Sequence, residues 1–295
     1  MTSSWMLVAG FLFAAVGAFG KFAANEFSSF ELAAYRSLIG VVLIGGVIVG
    51  RALIQRTQRQ AIVRQFASSQ WRDHAWRGAL GSASLFGYFY ALTHLPLATA
   101  VTLNYTSPLF LAVLSTFLLR AHFKPMLLAS ICIGFCGIAL LLRPSFAGTS
   151  AVASIVGLLS GFFAASAYIN VRKLGDAGEP EWRVVFYFSL ISCVLGFAIH
   201  RLFYGAFSAL TMGNWFNLLL MGLAATLAQL AMTRAYHAGN PLVVGSFAYS
   251  TVVFSAIIGV VFFQEVLPPI SFIGISIIIA AGLLAKKSEA KKLPT

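Results

Sequence analysis

The chain has 295 residues, 59% of them hydrophobic and 9% charged, with a formal net charge of +12. An ordinary soluble domain is about 45–50% apolar and about 25% charged, so a water-soluble fold is excluded. The apolar residues come in blocks of roughly 17–23, long enough to cross about 30 Å of hydrocarbon at 1.5 Å per residue. Alternating ten-residue barrel strands are absent, which leaves an all-α integral membrane protein.

Taken in chain order, the blocks predict ten spans: Trp5–Lys21, Phe30–Gly50, Gly78–Leu92, Leu97–Leu119, Met126–Leu142, Val152–Val171, Val184–Phe203, Trp215–Ala235, Leu242–Phe263 and Ile270–Ala285. The first lacks a basic leader and has an internal counterpart, so it reads as retained rather than cleaved. The Arg51–Arg77 loop mixes arginines with Ile62, Val63 and Phe66, which fits a helix lying on an anionic leaflet and equally a solvated loop. All five tryptophans, Trp5, Trp71, Trp76, Trp182 and Trp215, fall near expected span ends, where their rings prefer the headgroup level. Cys132, Cys136 and Cys193 lie inside apolar spans with no zinc spacing, so packing is expected of them.

With the N-terminus inside, sixteen of the 20 Lys and Arg residues, Arg72 and Arg77 among them, fall on the cytoplasmic side. Only Lys21, Arg36, Arg143 and Arg201 do not. The positive-inside rule therefore predicts an inner (plasma) membrane protein with both termini cytoplasmic. The same distribution argues against nucleic acid as a partner, because the basic residues sit at membrane exits.

The sequence also repeats itself. An offset of 144 residues aligns Ala91 with Ala235, Tyr105 with Tyr249 and Pro125 with Pro269, and near the N-terminus an offset of 151 aligns Gly10-Phe11 with Gly161-Phe162 and Lys21 with Arg172. The expected organisation is 1–145 and 146–295, five spans each. An odd number of spans inverts the second copy in the membrane, an arrangement that lets two halves rock about a central site.

Three segments carry a family resemblance: Tyr90–Leu119 (YALTHLPLATAVTLNYTSPLFLAVLSTFLL), Phe262–Leu284 (FFQEVLPPISFIGISIIIAAGLL) and Ala33–Gly40 (AAYRSLIG). They resemble the EamA-type exporters of the drug/metabolite transporter superfamily. That resemblance implies a secondary transporter exporting small metabolites, amino acids and aromatic ones among them, or alternatively drugs and toxic metabolites. It implies a small-molecule substrate with membrane lipid as surroundings; no cofactor is expected, and the oligomeric state, monomer included, is left open.

Polar groups within spans are costly unless they face a cavity or a partner, which makes them the candidate site. In the fourth span these are Asn104, Tyr105 and Ser107, with Pro108 expected to kink the helix and free a carbonyl. Ser246 and Tyr249 in the ninth span, Tyr168 and Asn170 in the sixth, Gln229 in the eighth and Tyr88 in the third complete the set. Each has a second reading as a helix-packing contact. Lys21 and Arg36, near outer span ends, are gating or carboxylate-attracting candidates, with snorkelling to the headgroups as the other reading. Glu265 is expected to cap or pair locally, and no Asp or Glu falls near an expected midplane. A neutral, zwitterionic or anionic cargo follows, because sites for cations usually hold a carboxylate at depth. The HExxH and G-x-S-x-G motifs are absent and GAFGK lacks a phosphate loop's spacing, so an enzyme is not expected. A channel remains the other rival class.

Overall fold

The computed structural model describes residues 2–23, 26–55, 64–118, 125–144, 146, 148, 150–264 and 266–290. After a 3₁₀ turn at Thr2–Ser4, the chain forms α1 (Trp5–Ala23), α2 (Ser29–Ile54), α3 (Trp71–His94), α4 (Leu97–Asn104), α5 (Ser107–Leu118) and α6 (Pro125–Leu142). There follow α7 (Ala151–Asp176), α8 (Glu181–Phe203), α9 (Met212–Ala238), α10 (Pro241–Ala248), α11 (Ser250–Phe263) and α12 (Pro269–Ala290). Among the described residues, eight stretches are helical, long and apolar enough to cross a membrane. Helix α3 and the α4–α5 pair fill the places of the other two expected spans.

Residue chemistry sets where the helices begin. The Ser28 hydroxyl caps α2 by accepting from the backbone N–H of Glu31, while the Glu31 carboxylate accepts from the Ser28 N–H, a reciprocal box that satisfies two orphan donors. Thr211 and Asn214 do the same for α9. The fourth span breaks at Tyr105–Thr106, just before Ser107-Pro108. Proline lacks an N–H and its ring crowds the preceding turn, so it is accommodated in the first turn of a new helix. The ninth span breaks at Tyr249, the residue that the 144 offset pairs with Tyr105.

The packing carries the repeat. Helix α3 runs along α7 and α1 along α9, while α2 lies against α8 and α6 against α12. Likewise α5 meets α7 as α11 meets α1. Exchanging the first five spans for the last five turns each pair into another of the set or into itself, which gives two inverted five-helix repeats. The core gathers on α9 and α10, every residue from Leu242 to Ala248 being buried. Large apolar side chains such as Val42, Phe117, Leu202 and Phe262 are exposed around the bundle, as lipid contact requires.

Two expectations change here. Helix α3 begins at Trp71 rather than Gly78, so Arg77 is buried within the bundle, 3% exposed, and is not a cytoplasmic loop residue. Its burial is possible because partners from other helices reach it, which a charge count along the sequence does not register. Cys132 and Cys136 are exposed on α6, and only Cys193 is buried, because two cysteines one turn apart share a face. Residues 56–63 of the Arg-rich loop and Glu265 lie outside the described residues.

Candidate functional site

At the centre, Arg36 of α2 lines a narrow cleft with Ser37, Phe188, Ser189, Ala225, Thr226 and Gln229. The cleft is about 10 Å³, room for roughly one water. Arg77 approaches from α3. Its Nη2 donates to Gln229 Oε1 at 3.3 Å, and its guanidinium lies 4.2 Å from the ring centroid of Phe188. Gly81, one turn further, leaves the space that Arg77 Nη1 occupies, since a methyl there would collide with it and with the Phe188 ring. Arg77 Nε and Nη1 are buried without a hydrogen-bond partner. Among the described residues, no carboxylate stands within ion-pair distance of Arg36 or Arg77.

Two phenol pairs lie in and against the apolar core rather than in the lining of the cleft. Tyr168 stacks on Tyr236 with ring centroids 4.8 Å apart, and Tyr105 and Tyr249 lie 6.5 Å apart. The hydroxyls of Tyr236 and Tyr249 are buried and have no protein partner, whereas that of Tyr105 bonds Thr251. The two span breaks thus bring Tyr105 and Tyr249 together as the repeat predicts. Gly161 of α7 packs against the first break, where a methyl would lie 3.0 and 3.1 Å from the carbonyl oxygens of Leu103 and Asn104.

Other candidates serve helix contacts. Asn104 Nδ2 donates to Ser160 Oγ at 3.0 Å, and Ser246 joins Ser130, which donates to the Ala281 carbonyl at 2.6 Å. Ser107, Pro108 and Asn170 are buried, and Tyr88 is half-buried beside Phe89. Lys21 belongs to the last turns of α1, with its side chain outside the described residues. Sequence reasoning missed Arg77, for the reason given above, and Tyr236, whose position near the end of α9 resembles that of an interfacial tyrosine.

Two buried charge clusters clasp opposite ends of the bundle. At one end Glu31, 1% exposed, accepts from Ser208 N (2.7 Å), Ser208 Oγ (2.9 Å) and Ser28 N (2.9 Å), and stands 3.6 Å from His200 Nε2. His200 Nε2 also meets the Ala206 carbonyl at 3.1 Å, and Nδ1 lies 2.8 Å from Ser28 Oγ. A carbonyl only accepts, so Nε2 carries the proton that meets Ala206.

At the other end Glu179 accepts from Ser68 Oγ (2.5 Å) and Arg183 Nη1 (2.9 Å) and lies 3.3 Å from His74 Nε2. Arg183 and Tyr187 hold the carbonyls of Gln65 and Phe66. Burial alone would raise the Glu179 carboxyl, but the hydrogen bonds from Ser68 and Arg183, with the His74 ring beside them, hold it below the usual carboxylate value. Nearby, Arg172 Nη1 donates to the carbonyls of His237 and Gly239, placing a cation at the C-terminus of α9.

The EamA-like transporter family matches this chain twice, over residues 1–143 and 151–285. The pseudopaline exporter of Pseudomonas aeruginosa is 29% identical over 213 residues, 72% of this chain and 74% of that protein. An uncharacterized transporter of Helicobacter pylori is 27% identical over 98% of this chain and 97% of its own. A riboflavin transporter of Brucella anthropi is 25% identical over 72% of this chain and 76% of its own. One crystal structure superposes with a TM-score of 0.78 at 20% identity, covering 98% of this chain and 99% of that one, a likeness of fold. With two family matches spanning nearly its whole length, this multi-pass membrane protein belongs to the EamA-like transporter family, a family of small-molecule transporters and not of enzymes.

Proposed function

We propose that the chain is a secondary transporter of the inner membrane, with both termini cytoplasmic, that exports small metabolites, amino acids and aromatic ones among them, by alternating access. Residues 1–145 and 146–295 are its two moving halves. The observation that carries this reading is the cleft itself, built by Arg36 from one repeat and by Phe188, Ala225 and Gln229 from the other. A site at the interface of inverted repeats is what rocking can open to each side in turn. Phe188 and Ala225 supply the apolar wall, and the arginines and Gln229 the polar anchors, that small-molecule sites combine.

The names of the exporter and riboflavin relatives support a small organic metabolite as cargo. A multidrug or toxic-metabolite exporter is the alternative. Two guanidinia and no nearby carboxylate disfavour it for cationic drugs, which would meet like charge. The test is counterflow in proteoliposomes loaded with unlabelled amino acids, with radiolabelled phenylalanine, threonine or glutamate outside. Saturable accumulation of a label, lost in Tyr105→Ala/Tyr249→Ala, supports the reading. No accumulation by folded protein would overturn the amino-acid assignment.

A further inference from the structure

We infer that Arg36 and Arg77 form an oxyanion subsite, and that the solute taken by this cleft carries net negative charge, compounds with two carboxylates being the class that balances both guanidinia. This rests on the transporter reading of the same cleft and narrows its substrate class.

The argument is one of charge and donors. Guanidinium stays protonated in proteins and presents five N–H groups in a planar fork. Burying it without a counter-ion is costly, and intramembrane cations elsewhere are paired or mark a solute path. Elsewhere in this molecule the rule holds, since buried Glu31 and Glu179 each accept several hydrogen bonds. The centre departs from it. Arg77 is 3% exposed and spends one donor on Gln229, while Nε and Nη1 have no partner. Phe188 covers the face of the guanidinium, so the free N–H groups can be met only from its edge.

Gln229 accepts from Arg77 with its amide oxygen, which turns its NH₂ into a further donor beside Arg36. Gln229 thus joins two cations, one bonded to its oxygen and one sharing the cleft with it, and two cations with an amide are a donor set that matches carboxylate oxygens. A zwitterion leaves the two positive charges uncompensated, a monoanion cancels one, and a dicarboxylate cancels both.

The experiment uses the full chain, purified and reconstituted, with succinate, glutamate, phenylalanine and phenylalanine amide as probes. Binding is read as the shift of unfolding temperature, and transport as counterflow of labelled glutamate and succinate. Wild type is predicted to be stabilised by succinate and glutamate in preference to phenylalanine, and not by the amide. Arg36→Gln and Arg77→Gln are each predicted to weaken that response at least tenfold in midpoint concentration while keeping the ligand-free unfolding temperature. Arg77→Lys, which retains charge but loses the fork, should recover part of it.

The inference fails if neither dicarboxylate stabilises wild type, if the arginine variants respond as wild type does, or if chloride replacing gluconate saturates the effect and leaves nothing for dicarboxylates to add. Arginine-dependent dicarboxylate binding without counterflow would uphold the subsite and overturn the transporter reading. Counterflow of phenylalanine untouched by either arginine variant would do the reverse.

Discussion

Charge is buried in two ways in this molecule, at the clasps and at the centre. Glu31 and Glu179, at opposite ends of the bundle, are met by hydroxyls, backbone N–H groups, a guanidinium and imidazoles. Arg36 and Arg77 have no carboxylate beside them among the described residues, and Arg77 leaves two nitrogens unbonded. A partnered buried charge fixes structure, because removing one partner costs about 3–5 kcal/mol. An unpartnered one contributes no such stability, and its presence is explained by a ligand that completes it. The clasps therefore hold the helices together, and the centre is the place we propose for the solute.

Arg77→Gln should separate the two most sharply. We expect counterflow to fall by about a hundredfold, while the unfolding temperature is unchanged or raised, because an uncompensated buried charge has been removed. Glu179→Gln should show the opposite pattern, with stability reduced by about 3 kcal/mol as Arg183 loses its counter-charge, measured by thermal unfolding in detergent.

Acid sharpens the comparison. The Glu179 carboxyl titrates below its ordinary value of 4.5 in the folded protein, so the stability it provides is complete above that value and is lost as pH falls through the lowered one. Wild type is expected to lose unfolding temperature below about pH 4.5, and Glu179→Gln to be flatter across that window. A smaller effect is expected at Ser130→Ala, which removes the bonds to Ser246 and the Ala281 carbonyl, at about 1 kcal/mol of stability. The smallest is Tyr249→Phe. Its hydroxyl has no protein partner, so stability should hold within about 0.5 kcal/mol, and a fall in counterflow alone would assign the phenol to the solute.

Much of the frame was legible because lipid imposes length and apolarity on every span. Helix α8 was expected from Val184 to Phe203 and runs from Glu181 to Phe203. The 144-residue offset paired Tyr105 with Tyr249, whose rings lie 6.5 Å apart, and the kink expected at Pro108 is the break in the fourth span. What escaped was polar and non-local. Arg72, Asp73, His74 and Arg77 look like loop residues in sequence, yet Glu179, 105 positions beyond His74, lets that ring start a buried helix. Asn104 and Ser246 read as ligand groups until their partners Ser160 and Ser130 are seen. The capping box Ser28–Glu31 and the pair Glu179–Arg183, four residues apart, were the clasp elements written locally.

The most direct test of the central claim, that one cleft between the repeats takes the solute from each side in turn, uses Ala225→Cys in a chain whose Cys132, Cys136 and Cys193 are replaced by serine or alanine. Ala225 lines the cleft and is 3% exposed. A membrane-impermeant thiol reagent is applied from one face of the vesicle or the other, with and without glutamate. Labelling from both faces, slowed by glutamate in each case, is the predicted result; labelling from one face only, or at a rate glutamate leaves unchanged, would contradict the account.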